Sequence, residues 1–103
     1  MPIALATASA ADFRPLLGQS FQLTFPTGAV VSAKLASVDE GAPYRPDFRV
    51  PFTLRFHVER STSPSGVMQA VVVVENDAAG RLELFAVARQ PHDDVAPWDV
   101  DFN

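Results

Sequence analysis

His57 is one of only two histidines in this 103-residue chain, and it lies in the segment "VPFTLRFHVER", residues 50–60. A histidine there could act as a general base or a metal ligand. Apolar and polar residues alternate along the segment, which is typical of a strand with one buried face. The polar neighbours of His57 on that strand are Arg55 and Glu59. Because a metal site needs three or four converging ligands, we predict that His57 is a solvated or cross-strand-paired side chain of a structural strand.

A second group of polar residues lies near the C-terminus and comprises His92, Asp93, Asp94, Asp99 and Asp101. Carboxylates bind hard cations, but calcium takes roughly 6 to 8 oxygen ligands that converge on one point. Adjacent residues of a loop seldom converge in this way. Asp99 and Asp101 would share one face of a strand, where like charges repel. We therefore predict no metal ion and no other cofactor.

Three serines, Ser61, Ser63 and Ser65, follow His57 closely and raise the question of nucleophilic catalysis. A serine hydrolase needs a positioned nucleophile and an oxyanion hole, and the chain has no Gly-x-Ser-x-Gly elbow. Its five glycines are too dispersed for a phosphate-binding loop, and it has no cysteine. We predict that the protein is not an enzyme and has no catalytic residues.

The segment "DEGAPYRPDFRVP", residues 39–51, contains three prolines and is too proline-rich for a helix or a central strand. It is long for a connection in a small domain, where roughly 4 to 6 residues are usual. Its aromatic and guanidinium groups are of the types enriched in interface hot spots, and the interaction candidates are Tyr44, Arg45, Phe48 and Arg49. Two interpretations stay open. The loop contacts a partner, or Tyr44 and Phe48 fold back and plug the end of the sheet.

The elements that must position these groups are mostly strands. Ser9 and Asp12 form a helix-start signal and Gly18 a stop signal, so we predict a short helix over about 10–17. Period-two patterns separated by turn residues predict strands over about 19–25, 29–39, 52–60, 67–75, 81–89 and 98–102. The predicted fold is a single all-β domain over residues 1–103, a small antiparallel meander or barrel with a short N-terminal helix.

The fourth and fifth predicted strands do not alternate cleanly. "AVVVV", residues 70–74, is apolar at both parities, and "RLELFAVA" has apolar residues on both faces. Strands of this kind are covered on both sides. The cover could be the N-terminal helix, the curl of a barrel or another subunit. Val72 and Val74 are therefore further interaction candidates.

Charge and hydropathy exclude some partners. The formal net charge is −4 and the basic residues are scattered, so we predict no nucleic-acid partner. No segment has the roughly 20 apolar residues that a membrane span requires. The N-terminal segment lacks the basic and apolar regions of a signal peptide. We expect a soluble, cytoplasmic protein without a membrane partner.

Four motifs carry a resemblance: "DFRPLLGQSFQL", "RVPFTLRF", "RLELFAVA" and the terminal "WDVDFN". They resemble the motifs of a family of small bacterial proteins of unknown function over most of residues 12–103. The matched positions are Phe13, Leu17, Gly18, Phe21, Pro51, Phe52, Leu54, Phe56, Gly80, Leu82, Glu83, Leu84, Phe85, Trp98, Phe102 and Asn103. The chain departs from the family at Trp98, where a tyrosine is usual, and at Asp101, where a small apolar residue is usual. Some relatives look like neighbours of phage-tail-type genes, so the resemblance implies an assembly or accessory role.

These observations favour a non-catalytic domain that works by association, either with itself through the doubly apolar strands or with a larger assembly through the 41–51 loop. Its mechanism would be burial of apolar surface and edge-strand pairing. The alternative is a small-ligand-binding barrel in which Phe21, Phe52 and Phe56 line a cavity instead of filling it.

Overall fold

The computed structural model describes residues 3–42 and 50–102. Its regular elements are one short α-helix, α1, and six strands. Their bounds are α1 Ala10–Phe13, β1 Ser20–Thr24, β2 Val30–Glu40, β3 Phe52–Glu59, β4 Gln69–Asn76, β5 Gly80–Ala88 and β6 Val95–Phe102. The predicted all-β fold with a short N-terminal helix is confirmed.

The six strands form a closed antiparallel barrel in the order β1-β2-β3-β6-β5-β4, which the pairing of β1 with β4 closes. The long strand β2 pairs with β1 through its first half and with β3 along most of its length. A register shift between Leu35 and Ser37 bends β2 between these two neighbours. Bulges of this kind increase the twist of a strand and help a sheet to close.

The helical segment before β1 is short because proline interrupts it. The carboxylate of Asp12 accepts a hydrogen bond from the backbone N–H of Ser9 at 2.9 Å, as in a capping box. After Phe13 the chain continues as a 3₁₀ turn over Arg14–Leu16, with Pro15 in its first turn. Gly18 then ends the segment with φ +82°, a left-handed conformation that favours glycine.

Strand β6 begins at Val95, three residues before the predicted start at Trp98. The earlier start is possible because the strand tolerates a proline at position 97. The carbonyl of Pro97 accepts a hydrogen bond from the backbone N–H of Arg89 at 2.9 Å, on the β5 side. A residue's N–H points to the same side of an antiparallel strand as its carbonyl. The position where Pro97 lacks an N–H therefore faces the end of β5. Few β5–β6 backbone hydrogen bonds form there, since the two strands pair only at Val87↔Asp99 and Ala88↔Trp98. Proline is tolerated at such positions.

Aromatic side chains fill the barrel. Phe21 and Phe56 contact edge to face with ring centroids 5.2 Å apart, and Phe25 and Trp98 do the same at 5.0 Å. Phe52 stacks on Phe102 at 4.4 Å. The three rings of the ligand-barrel alternative, Phe21, Phe52 and Phe56, are at most 2% exposed. Each packs against another ring, which favours a filled interior.

The N-terminal helix closes one end of the barrel. The ring of Phe13 lies 5.8 Å from that of Phe52 and 5.6 Å from that of Phe102, and Phe13 is 1% exposed. Helix α1 therefore covers the barrel end that Phe52 and Phe102 occupy. No helix within residues 3–42 and 50–102 combines the length and the apolar character needed to cross a membrane.

Candidate functional site

The outer side of strands β4 and β5 carries an exposed apolar surface. Val71 of β4 lies opposite Phe85 of β5, and these residues are 54% and 52% exposed. Val73 and Val87 share the outward parity of their strands and are partly exposed. We call Val71, Val73, Phe85 and Val87 the β4–β5 face. Isolated apolar residues on a surface need no explanation, but neighbouring ones often mark a contact site.

The inward side of the same strands is buried. Val72 and Val74, the interaction candidates chosen from the sequence, are 0% and 2% exposed and belong to the barrel core. They cannot contact a partner of the folded protein. The curl of the barrel therefore covers the inner parity, and α1 covers a barrel end. Neither of these leaves Val71 and Phe85 covered, since both stay more than half exposed.

The candidate residues of the proline-rich loop, Tyr44, Arg45, Phe48 and Arg49, lie outside the described residues. The two ends of that loop are joined, because the N–H of Gly41 donates to the carbonyl of Pro51 at 2.8 Å. The two interpretations of this loop, contact with a partner and a plug at the end of the sheet, both stay predictions.

An ion-pair cluster lies on the outer side of strands β3, β6 and β5. Asp99 is 3% exposed and accepts hydrogen bonds from Arg55 Nε at 2.7 Å and Arg55 Nη2 at 2.9 Å. Arg89 Nε donates to the same carboxylate at 2.9 Å. Burial opposes ionisation of Asp99, but the two guanidinium groups outweigh it, so the pKa of Asp99 is lower than usual. The hydrogen bond to Asp99 also raises the pKa of Arg55.

The sequence interpretation of Asp99 missed this cluster. Asp99 and Asp101 do share one strand face, but each carboxylate has its own partner, since Asp101 accepts a hydrogen bond from Thr53 Oγ1 at 2.6 Å. The polar side of β3 is therefore part of an ion-pair network and more than a solvated face. The alternation of β3 places Arg55 on the polar side of the strand. Predicting its ion pair with Asp99 also requires the β3–β6 register, which places the two residues opposite each other.

His57 lies beside this cluster on β3, opposite Lys34 of β2 and Pro97 of β6. Its ring centroid is 6.3 Å from that of His92. Partial burial lowers the pKa of His57, and the neighbouring His92 and Arg55 lower it further against the opposing effect of Asp99. The described residues contain no group of three His, Asp or Glu side chains placed to hold a metal ion.

The serines near His57 have other partners. Ser63 Oγ accepts a hydrogen bond from Trp98 Nε1 at 3.1 Å, and Ser61 Oγ donates to Glu59 Oε1 at 3.1 Å. A nucleophilic serine would instead be expected within hydrogen-bond reach of its base. The geometry of Ser61 and Ser63 is therefore that of loop-stabilising residues.

Comparison with known proteins gives one match. Residues 8–99 match the model of a family described as "Domain of unknown function (DUF6916)". No curated protein and no solved structure matches the chain. The predicted resemblance to a family of unknown function is confirmed over these residues, whereas the terminal Phe102 and Asn103 motif lies beyond the match.

Proposed function

Because the chain belongs to the family of domains of unknown function DUF6916, we propose its function from its own surface: it is a non-catalytic association module that binds a second copy of itself through the β4–β5 face. The single observation that carries this proposal is the exposure of Val71 and Phe85, which lie opposite each other on adjacent strands. The next outward residue of β5, Glu83, lies opposite Val73 and borders the face.

The size of the face sets the expected strength of association. Full burial of a valine or phenylalanine side chain contributes about 1.5 to 3 kcal/mol, and half-exposed residues gain about half of that. Val71 and Phe85 from two copies would therefore contribute about 3 to 6 kcal/mol, with smaller gains from Val73 and Val87. Association costs at least about 4 kcal/mol in lost freedom of motion. We therefore expect a weak, concentration-dependent dimer.

The partner that we propose for the β4–β5 face is a second copy of the same chain. Two identical faces related by a two-fold axis bury the same residues on each side, so one apolar patch meets another. Strands β4 and β5 pair with each other and also with β1 and β6. Since both strands already have neighbours on both sides, the proposal rests on face-to-face packing instead of edge-strand pairing.

The non-catalytic part of the proposal is supported by the partners of the candidate nucleophiles. Ser63 is bonded to Trp98, and Ser61 is bonded to Glu59. Asp99, the buried carboxylate, is held by two guanidinium groups in an ion pair. Each of these polar groups has a structural role that accounts for its position.

We extend the proposal to a role as an accessory subunit of a larger assembly, such as the phage-tail-like bacterial assembly that the resemblance implies. A subunit of an assembly needs a surface that becomes buried on contact. The β4–β5 face is a surface of this kind.

Sedimentation velocity of the wild-type protein tests the proposal directly. Samples between about 10 µM and about 1 mM span the range in which a weak dimer forms. The proposal predicts a sedimentation coefficient that rises with concentration from the monomer value toward the dimer value. A monomer value throughout this range would refute self-association.

A further inference from the structure

A groove outside the barrel core has a lining unlike the rest of the surface. It lies between the β3–β4 loop, residues 60–68, and the segment that follows β5, and its volume is about 360 Å³. Trp98 of β6 lines it, together with apolar side chains that include Val67 and Met68. Met68 is 70% exposed, the largest exposed fraction among the large apolar residues of the described chain.

The charge of this groove is opposite to that of the protein. The chain carries a formal net charge of −4, yet two arginines, Arg60 and Arg89, line the groove, and none of the described lining residues is acidic. Arg60 Nη1 donates to the main-chain carbonyl of Asp93 at 3.3 Å, and no carboxylate pairs with Arg60 within the described residues. Glu59 precedes Arg60 in the chain, and the main-chain carbonyl of Asp94 accepts a hydrogen bond from the backbone N–H of Arg60, but neither acidic residue lines the groove.

The second arginine is held in place and keeps donors free for a ligand. Arg89 binds Asp99 through Nε, and its two terminal nitrogens have no partner among the described residues. Asp99 shares its charge with Arg55 as well, so one negative charge is divided between two guanidinium groups. A guanidinium fixed in this way presents its remaining N–H groups at little cost in side-chain entropy.

We propose that this groove binds a small monoanion with an apolar body, of the class of medium-chain or aromatic carboxylates. Arginine recognises a planar carboxylate through paired hydrogen bonds. Met68 and Val67 provide apolar contacts for the rest of the ligand, whereas Trp98 lines the groove but is only 1% exposed. The volume of about 360 Å³ lies at the small end of the usual range of ligand sites, roughly 300 to 1,000 Å³. This inference is independent of self-association through the β4–β5 face.

Trp98 provides a specific reporter, because it is the only tryptophan and its indole N–H donates to Ser63 in the groove wall. The experiment titrates 15N-labelled protein at about 50 µM, well below the expected Kd, with 4-phenylbutyrate and follows the indole N–H resonance. The matched neutral probe is 4-phenylbutan-1-ol. A ligand of this size is expected to bind with a Kd on the order of 1 mM.

The groove predicts a saturable shift with the carboxylate and binding at least about ten-fold weaker with the alcohol, the loss expected when one charged hydrogen bond is missing. Arg60→Gln should weaken carboxylate binding by a similar factor. Arg81→Gln removes the same charge at the other end of β5 and should leave binding unchanged. Dispersed amide resonances establish that each variant is folded.

Three results would overturn the inference: no saturable shift up to about 20 mM carboxylate, equal affinity for acid and alcohol, or equal weakening by both arginine variants. The comparison of acid and alcohol uses only the wild-type protein, so it decides the question even if Arg60→Gln does not fold.

Discussion

Val71 and Phe85 lie directly opposite each other on β4 and β5, and each is more than half exposed on the outside of the barrel. Their immediate neighbours Val72 and Leu84 also lie opposite each other but point inward, where they are 0% and 6% exposed. The same two strands therefore provide part of the core and an uncovered apolar surface. This duality is the basis of the proposed self-association.

Salt is expected to strengthen the association. Each copy carries a formal charge of −4, so two copies repel each other, and salt screens that repulsion. Sulfate also strengthens the burial of apolar surface because it is excluded from the protein surface. The dimer fraction at a fixed protein concentration should rise when about 0.3 M sodium sulfate is added. A fall in dimer fraction, measured by light scattering, would indicate an ionic contact instead of an apolar one.

Val71→Thr and Val72→Thr form a matched pair on one strand. A threonine at position 71 places its hydroxyl group in water, so the free energy of unfolding should change by less than about 0.5 kcal/mol. A threonine at position 72 buries a hydroxyl group in the core and should cost about 1 to 3 kcal/mol. Urea unfolding at low protein concentration measures both changes. Equal losses from the two variants would show that residue 71 is not exposed in solution.

Asp99→Asn is expected to destabilise the barrel at neutral pH by about 1 to 2 kcal/mol, because charged hydrogen bonds to Arg55 and Arg89 are weakened. This loss is small for an ion pair because both arginines are about half exposed, so water screens their charges. The control Asp101→Asn changes an exposed carboxylate that, among the described residues, accepts a side-chain hydrogen bond from Thr53 alone, so its effect should be smaller.

The wild-type protein should also lose part of its stability in acid because of Asp99. Its pKa in the folded protein is below the ordinary value of 3.8, so the unfolded chain binds the proton more readily. The stabilisation from Asp99 is present above the ordinary pKa and is lost as the pH falls through the folded value. As the pH is lowered from 7 into the acid range, the free energy of unfolding measured with urea should therefore fall less for Asp99→Asn than for the wild-type protein. Parallel curves for the two proteins would contradict this role of Asp99.

His57 gives a second pH dependence in a different window. Its pKa in the folded protein is below the ordinary value of 6.5, so protonation favours the unfolded chain. The stabilisation should be complete above about pH 7 and should decrease as the pH falls from the ordinary value toward the folded one. His57→Gln should remove this slope, whereas wild-type protein should keep it. A slope that is unchanged in the variant would assign the titration to another group.

Much of the fold could be predicted because local signals were strong. The period-two pattern of residues 52–58 and the glycine and proline turn residues placed the strands within a few residues of their observed bounds. The run of four valines was different, since a sequence that is apolar at both parities does not say which parity faces inward. Closure of the barrel decides which parity faces inward. That closure depends on the pairing of β1 with β4, two strands that are far apart in the chain.

The candidate sites were harder to predict for the same reason. Asp99 could be interpreted from the sequence only against Asp101, whereas its observed partners are Arg55 on β3 and Arg89, the residue that follows β5. Likewise, Arg60, Arg89 and Trp98 come together only when the β3–β4 loop meets the end of β5. Contacts across strands follow from register, and register is a property of the whole barrel.

The most direct test of self-association through the β4–β5 face compares sedimentation velocity of Phe85→Ser with that of Leu17→Ser. Both substitutions replace a large exposed apolar residue with serine, since Phe85 and Leu17 are 52% and 45% exposed, but only Phe85 belongs to the face. At a concentration where the wild-type protein is largely dimeric, Phe85→Ser should sediment as a monomer and Leu17→Ser should sediment like wild type. A dimer that survives Phe85→Ser, or one that is lost equally in both variants, would contradict association through this face.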